Sequence, residues 1–137
     1  MQLLLWFLAL LRFFAPIKTI NPMVKIPYYF LDDASDWTPT EALEWIKSHQ
    51  NPFPDNLFPF WGWLDCQGYE ESCLFLLVNP ITKEFFEISG SHCSCYGFED
   101  QFEPSLAPVE YIFKQQRRWP DAIKLVEEIL QNNLETN

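Results

Sequence analysis

The stretch FPFWGWLDCQGYEESCLFLLVNPITKEFFEIS, residues 58–89, decides the fold. It contains three β-type runs: Phe58–Asp65, Ser72–Val78 and Glu84–Ser89. The turn-forming pairs Gln67-Gly68 and Asn79-Pro80 separate these runs. Connections this short join antiparallel neighbours, so the stretch predicts a β-meander. The middle run is apolar at nearly every position, which is typical of a central strand covered on both faces.

A helix signal lies upstream of the meander. In Thr38-Pro39-Thr40-Glu41, a threonine N-cap is followed by proline at the first helical position and glutamate at the third. This is the pattern of a capping box, in which each side chain bonds the other's backbone N–H. The spacing predicts a helix to about Ser48, before Pro52 and Pro54. Its expected buried stripe is Ala42, Leu43 and Ile46, with Trp45 alongside.

Three further segments complete the predicted architecture. Ile26–Leu31 reads as a β-type run, and Pro108–Gln116 has a spacing that fits a helix or a strand. Pro120 opens a final helix. Its expected apolar stripe is Ile123, Val126, Leu130 and Leu134. The predicted fold class is therefore α+β: a small antiparallel meander of three or four strands, packed by two or three helices.

The first 22 residues differ from the rest of the chain. They include the apolar run LLLWFLALLRFF at residues 3–14, with Arg12 and Lys18 and no acidic residue. We interpret 1–22 as an extension and 23–137 as a single domain. The extension either precedes a true start at Met23 or forms an interfacial or packed helix. A membrane anchor is the least favoured alternative, because a spanning helix needs roughly 20 apolar residues.

Composition and charge exclude several classes of function. The 137 residues carry a net charge of −10, so direct nucleic-acid binding, which needs a basic patch, is not expected. The one basic cluster, Arg117-Arg118 with Lys114 nearby, reads as solvated side chains. Four cysteines are too few for a disulfide scaffold, which favours a cytoplasmic protein. No phosphate-binding loop or hydrolase motif occurs, so no catalytic residue is nominated.

The segment Gly90–Pro104, GSHCSCYGFEDQFEP, is the best candidate for chemistry. We expect it to lie outside the regular elements, where functional residues concentrate. Hairpins centred on Tyr69 and Ile81 would place Cys66 opposite Cys73 and Cys73 opposite Ser89. The cysteines and one histidine would then gather at one end of the sheet. These candidate metal ligands are Cys66, Cys73, His92, Cys93 and Cys95.

Several interpretations of this gathering remain open. Zinc would use four such ligands, but the cysteine spacings are not those of paired C-x-x-C knuckles. A Cys–His nucleophile would need His92 or His49 beside a thiol of lowered pKa. We expect His49 to be a solvated group at a helix end. Buried thiols that act as small apolar side chains are the default, so no cofactor is expected and zinc is the minor alternative.

The run HCSCYGFEDQFEP, His92–Pro104, resembles a stretch in small phage and bacterial proteins that have no established activity. The resemblance covers these 13 residues directly, and it extends no further than the preceding hairpin. It implies a phage or mobile-element context. It supplies no catalytic residue.

Two functional hypotheses follow. The first is a non-catalytic module, such as a phage or mobile-element accessory or inhibitor, that binds a host protein through exposed aromatic and acidic side chains. In its sharpest form the bound surface is one that normally receives nucleic acid. Its expected binding residues are Trp61, Trp63, His92, Tyr96, Glu99, Asp100 and Glu103. The competing interpretation is that the rings are core and the acids only maintain solubility. The second hypothesis is a metal- or thiol-dependent protein centred on Cys93 and Cys95 with His92.

Overall fold

A computed structural model describes residues 26–93 and 97–132. Its elements, in chain order, are β1 (Tyr29–Asp32), α1 (Pro39–His49), β2 (Phe58–Asp65), β3 (Glu70–Val78), β4 (Phe85–Cys93), β5 (Ser105–Leu106), α2 (Val109–Phe113) and α3 (Pro120–Gln131). The predicted α+β class is confirmed, and the segment that fitted either a helix or a strand forms the short helix α2.

The strands form one mixed sheet in the order β1-β2-β3-β4-β5. The meander from β2 to β5 is antiparallel, as predicted, whereas β1 pairs parallel to β2. The antiparallel meander therefore has four strands, within the expected three or four, and β1 brings the sheet to five. The parallel pair arises because α1 carries the chain back before β2 begins. The two-residue β5 lies between Pro104 and Pro108 and is too short to leave a strand pattern in the sequence.

The capping box at the start of α1 is confirmed. The Glu41 backbone N–H donates to Thr38 Oγ1 at 3.2 Å, and the Thr38 N–H donates to Glu41 Oε1 at 3.0 Å. These bonds satisfy donors that have no partner inside the helix. Ala42 and Ile46 are buried, as predicted, and Trp45 is half-buried on the same side.

Apolar side chains cover both faces of the sheet. The α1-side core lies between the sheet and α1, and the α3-side core lies between the sheet and helices α2 and α3. The α1-side core includes Phe30, Ala42, Ile46, Phe75, Leu77, Phe98 and Phe102. The α3-side core includes Phe60, Trp61, Leu76, Ile112, Trp119, Val126 and Ile129. Alternate residues of β3 enter opposite cores, which explains its continuous apolar sequence.

The registers of both hairpins differ from the prediction. Cys73 faces Leu64 in β2 and Gly90 in β4, so it is opposite neither Cys66 nor Ser89. In the first turn, Gly68 adopts φ +68°, a conformation that suits glycine. In the second turn, the Asn79 side chain accepts backbone N–H bonds from Ile81 and Thr82. The glycine conformation in the first turn and the asparagine hydrogen bonds in the second set where β3 and β4 begin.

The buried stripe of α3 is also shifted. Ala122, Val126 and Ile129 are buried, whereas Leu130 is exposed and Ile123 is half-buried. The predicted stripe overlooked Ala122, whose small side chain has a weak hydrophobic signal but permits close packing. The last residue of that predicted stripe, Leu134, lies outside the described residues.

Within residues 26–93 and 97–132, none of the helices has the length and apolar character needed to span a bilayer. The interpretation of residues 1–22 as an extension concerns a part of the chain outside the described residues.

Candidate functional site

The segment Gly90–Pro104 is partly regular, contrary to expectation. Residues 90–93 continue β4, and residues 97–104 return across the α1 side of the sheet towards β5. Cys95 and Tyr96 lie outside the described residues. The strand was underestimated because Gly90, Ser91 and His92 have weak strand propensity, while pairing with β3 holds them extended.

Hydrogen bonds attach the returning loop to β4 and α1. Gln101 Oε1 accepts from the Ser91 N–H at 2.9 Å, and Gln101 Nε2 donates to the Gly97 carbonyl at 3.1 Å. At the end of α1, the Asp100 N–H donates to the His49 carbonyl. The described part of Gly90–Pro104 is thus the end of β4 and a loop that packs against the C-terminal end of α1.

Aromatic rings pack beneath this loop. Phe98 and Phe102 are buried, with ring centroids 5.3 and 5.4 Å from that of Trp45. The His92 ring lies edge-on to Phe98 at 4.4 Å. Gly90 permits the close packing of Phe102 against β4, because a Cβ at residue 90 would lie 2.9 Å from the Phe102 ring. These rings belong to the core, so the loop is rigidly positioned by packing.

Both histidines of the chain line one pocket of about 310 Å³. We call it the two-histidine pocket. Its lining residues are Trp45, His49, Leu64, Cys66, Glu71, His92, Gly97 and Phe98. They come from α1, β2, the β2–β3 turn, β3, β4 and the returning loop. Convergence of aromatic walls with a few polar groups is characteristic of a binding site.

His92 is held on both ring nitrogens. Its Nδ1 lies 2.6 Å from the Cys93 carbonyl oxygen, and its Nε2 lies 2.9 Å from Glu71 Oε1. A carbonyl only accepts, so Nδ1 is the donor. The His92 side chain is 9% exposed. Since His92 pairs with Glu71 across β3 and β4, the sheet fixes the position of both groups.

His49 is a wall of the pocket and not the solvated group expected from its place at a helix end. It is half-buried against Trp45 and Phe98, at centroid distances of 4.7 and 5.9 Å. Its Nδ1 lies 2.9 Å from the Trp45 carbonyl oxygen and 3.0 Å from Ser48 Oγ. With Nδ1 donating to that carbonyl, neutral His49 keeps Nε2 as an acceptor.

The environment of Cys66 opposes thiolate formation. Partial burial and a hydrogen bond to Glu71, followed by the Glu71 charge, raise the pKa of the Cys66 thiol to about 12. The charges of Asp33 and Asp65 act in the same direction. A thiolate is the reactive form of cysteine. This arrangement is therefore unlike the lowered pKa that a Cys–His nucleophile requires.

The expected gathering of metal ligands is incomplete among the described residues. Cys73 is a buried thiol on the α1 side, and burial raises its pKa to about 12. Cys93 lies opposite Glu70 and, by strand alternation, on the other face from His92. Within 26–93 and 97–132, no group of three or more His, Cys, Asp or Glu side chains is arranged to hold a metal.

The exposed rings are not the expected tryptophans. Trp61 is only 2% exposed, because it packs against Trp119 in the α3-side core at a centroid distance of 5.4 Å. The expectation that Trp61 is exposed is wrong, and Trp63 is half-buried. Tyrosines provide the exposed aromatic surface instead. They are Tyr28, Tyr29, Tyr69 and Tyr111, of which Tyr69 is 81% exposed.

Acidic side chains collect where Tyr69 is exposed. Five of them lie at strand ends that the pairing brings to one end of the sheet, a surface we call the acidic end: Asp32, Asp33, Asp65, Glu70 and Glu71. The sole Lys or Arg ion pair found in the described part of the chain joins Lys47 to Asp55, away from these strand ends. Among the described residues the acidic end therefore has no lysine or arginine partner, and its one histidine contact is that of Glu71 with His92 Nε2.

The remaining predicted binding residues lie on the returning loop. Glu99 and Asp100 are exposed on its turn, where Asp100 has φ +61°. Glu103 is also exposed and lines a separate groove of about 750 Å³ beside Phe53 and Phe86. These three carboxylates therefore do not join the two-histidine pocket.

Comparison of the chain with protein-family models, with curated proteins and with solved structures finds no match. The geometry of the acidic end and of the two-histidine pocket therefore carries the functional argument.

Proposed function

We propose that this protein is a non-catalytic module that binds a basic surface of a partner protein. In the phage or mobile-element context implied by His92–Pro104, the partner is a host protein and the module acts as an accessory or inhibitor. The observation that carries the proposal is the acidic end, at which Tyr69 is exposed and the carboxylates have no lysine or arginine partner among the described residues.

Charge supports this role. The chain has 19 acidic against 9 basic side chains. Such an imbalance steers encounters with basic proteins over a distance of about 10 Å at ordinary ionic strength. Carboxylates at the acidic end stand in for phosphates, so the preferred partner surface is one that normally receives nucleic acid.

Tyr69 supplies the apolar part of the contact. Its ring projects from the β2–β3 turn, and tyrosine is enriched at the energetic centres of interfaces because it buries a large ring with little entropy loss. Glu70 follows it directly, and Asp65 lies at the other end of the same turn. The tyrosine would anchor the complex, and the carboxylates would fix its orientation.

The test measures association with a purified host partner recovered by affinity capture. The variant Asp65→Asn/Tyr69→Ala/Glu70→Gln removes two carboxylates of the acidic end together with the exposed tyrosine, and Glu127→Gln/Glu128→Gln on α3 is the matched control for the lost charge. We expect the wild-type association rate to fall about tenfold between roughly 50 and 400 mM salt, and DNA or RNA to compete. The triple variant should lose binding, whereas the control should keep it.

Two results would contradict the proposal. If binding is insensitive to salt and does not displace nucleic acid from the partner, the acidic end does not stand in for phosphates. About one zinc per purified chain, with unfolding by chelator, would favour a metal-dependent protein centred on Cys93 and Cys95 with His92.

A further inference from the structure

We infer that the two-histidine pocket is a socket for a guanidinium group, supplied by an arginine side chain of the partner. This inference rests on the proposed function, since it names the residue of the basic partner that enters the pocket. It adds a second, concave contact beside the acidic end, which also contains the pocket residue Glu71.

The size and walls of the pocket suit a side chain. Its volume of about 310 Å³ is at the lower limit for small-molecule sites. Trp45 is half-buried and Phe98 is buried, so two rings border the space. Guanidinium groups stack on aromatic faces, and they do so more readily than ammonium groups because they are planar and weakly hydrated.

The polar groups of the pocket are complementary to a donor-only cation. Glu71 contributes a carboxylate held in place by His92 Nε2. His49 Nε2 has no hydrogen-bond partner among the described residues, and it accepts when its Nδ1 donates to Trp45. A guanidinium has five donors and no acceptor, so it matches a carboxylate and an imidazole lone pair.

The surrounding charge favours a cation. Asp33 and Asp65 act electrostatically on Cys66 at the pocket wall, and Asp33 Oδ2 accepts the Cys66 backbone N–H at 2.8 Å. No lysine or arginine is among the residues that line the pocket. The carboxylates of Glu71, Asp33 and Asp65 outnumber the one histidine that contacts them, so an anionic ligand is disfavoured. A metal ion is less well matched, because the described residues form no metal-holding group.

The test is a titration of the whole chain with Nα-acetyl-arginine methylamide, followed through the imidazole ring resonances of His49 and His92. We expect saturable shifts at both rings in the millimolar range, as is reasonable for one side chain. The citrulline analogue has the same shape without the charge and should give no saturable shift. The lysine analogue should bind at least about fivefold more weakly than the arginine probe.

Matched variants assign the binding to the pocket. Glu71→Gln should weaken arginine binding about tenfold, whereas Glu128→Gln, an exposed carboxylate on α3 that does not line the pocket, should change it less than about twofold. Trp45→Leu provides a second test should Glu71→Gln fail to fold, and it should also weaken binding.

Four results would overturn the inference: no saturable shift with arginine, an equal response to citrulline, equal effects of the two glutamate variants, or ring shifts produced by Zn²⁺ and not by arginine. The probe requires no partner protein. If arginine does not bind but the partner complex is sensitive to salt, the guanidinium site is wrong and the proposed binding module stands. If arginine binds but partner binding is insensitive to salt, the guanidinium site stands and the proposed charge-based binding module is wrong.

Discussion

At the scale of single residues, Glu71 adds to the effect of burial on a neighbouring thiol. Partial burial, followed by the hydrogen bond and charge of Glu71, raises the pKa of Cys66 to about 12. In Glu71→Gln, we expect Cys66 to be alkylated by iodoacetamide several-fold faster at about pH 8, because more thiolate is present. Peptide-resolved mass spectrometry measures the rate for Cys66 alone.

Glu70→Gln is the control for this prediction. Glu70 lies next to Glu71 but does not contribute to the raised pKa of Cys66. Its substitution should leave the alkylation rate nearly unchanged. An equal acceleration in both variants would mean that general negative charge, and not the contact with Glu71, sets the thiol pKa.

Gly62 and Gly68 are needed for different reasons: Gly62 because there is no space for a side chain, and Gly68 because of its backbone conformation. A Cβ at Gly62 would lie 2.4 Å from the Leu74 carbonyl oxygen and 2.8 Å from the Phe75 Cα, so backbone would have to move. A Cβ at Gly68 would meet nothing within 4 Å, but the backbone has φ +68°. We expect Gly62→Ala to cost about 3 kcal/mol of unfolding free energy and Gly68→Ala about 1 kcal/mol.

Urea unfolding of both glycine variants measures this difference. Gly68→Asn provides the discriminating control, since asparagine tolerates the left-handed conformation better than alanine. It should be more stable than Gly68→Ala. Equal destabilisation by Gly62→Ala and Gly68→Ala would contradict the close approach of β2 and β3 at Gly62.

At the scale of elements, the start of α1 depends on one side chain. Thr38→Ala removes the acceptor of the Glu41 N–H, and we expect it to cost about 1 kcal/mol of unfolding free energy. Thr40→Ala, two residues into the same helix, should be neutral or slightly stabilising because alanine is the better helix former. Thermal unfolding of the pair gives the measurement, and equal stability would contradict the cap.

The elements predicted correctly from the sequence are those specified by nearby residues. The α1 start needs only Thr38, Pro39 and Glu41, and the existence of β2, β3 and β4 follows from their apolar runs and intervening turns. Register and topology depend on more distant or finer features. The conformation of Gly68 shifted the first hairpin, and the parallel pairing of β1 follows from how α1 packs.

The candidate site was predictable only in part for the same reason. Its segment, Gly90–Pro104, stands out by composition, and the register argument brings Cys66 and His92 to one end of the sheet. The other two polar members are not predicted. His49 reaches the pocket through the packing of α1, and Glu71 through the pairing of β3 with β4, which no local pattern encodes.

At the scale of the whole molecule, three raised pKa values link stability to alkaline pH. Burial raises the pKa of Cys73 to about 12, that of Cys66 is also about 12, and partial burial with a bond to Glu87 raises that of Tyr111. A raised pKa in the folded state means that the unfolded chain loses its proton first. The contribution to stability is therefore complete below about pH 9 and is lost towards pH 12.

We accordingly expect the melting temperature to fall steadily as the pH rises above about 9, which is the ordinary pKa of a thiol. Cys73→Ala is the informative variant, because it removes the most buried of these groups. Its melting temperature should depend less steeply on pH in this range than that of the wild type, whatever its absolute stability. Parallel curves would contradict the assigned role of Cys73.

The alternation of β3 between the two cores has a consequence for how the protein responds to ligands. Because Leu74 and Leu76 belong to one core while Phe75 and Leu77 belong to the other, neither layer can melt without exposing side chains of the strand they share. The two layers should therefore behave as one cooperative unit. A small molecule that occupies only the two-histidine pocket would then protect the amides of α3 against hydrogen exchange, although α3 lies on the opposite side of the sheet.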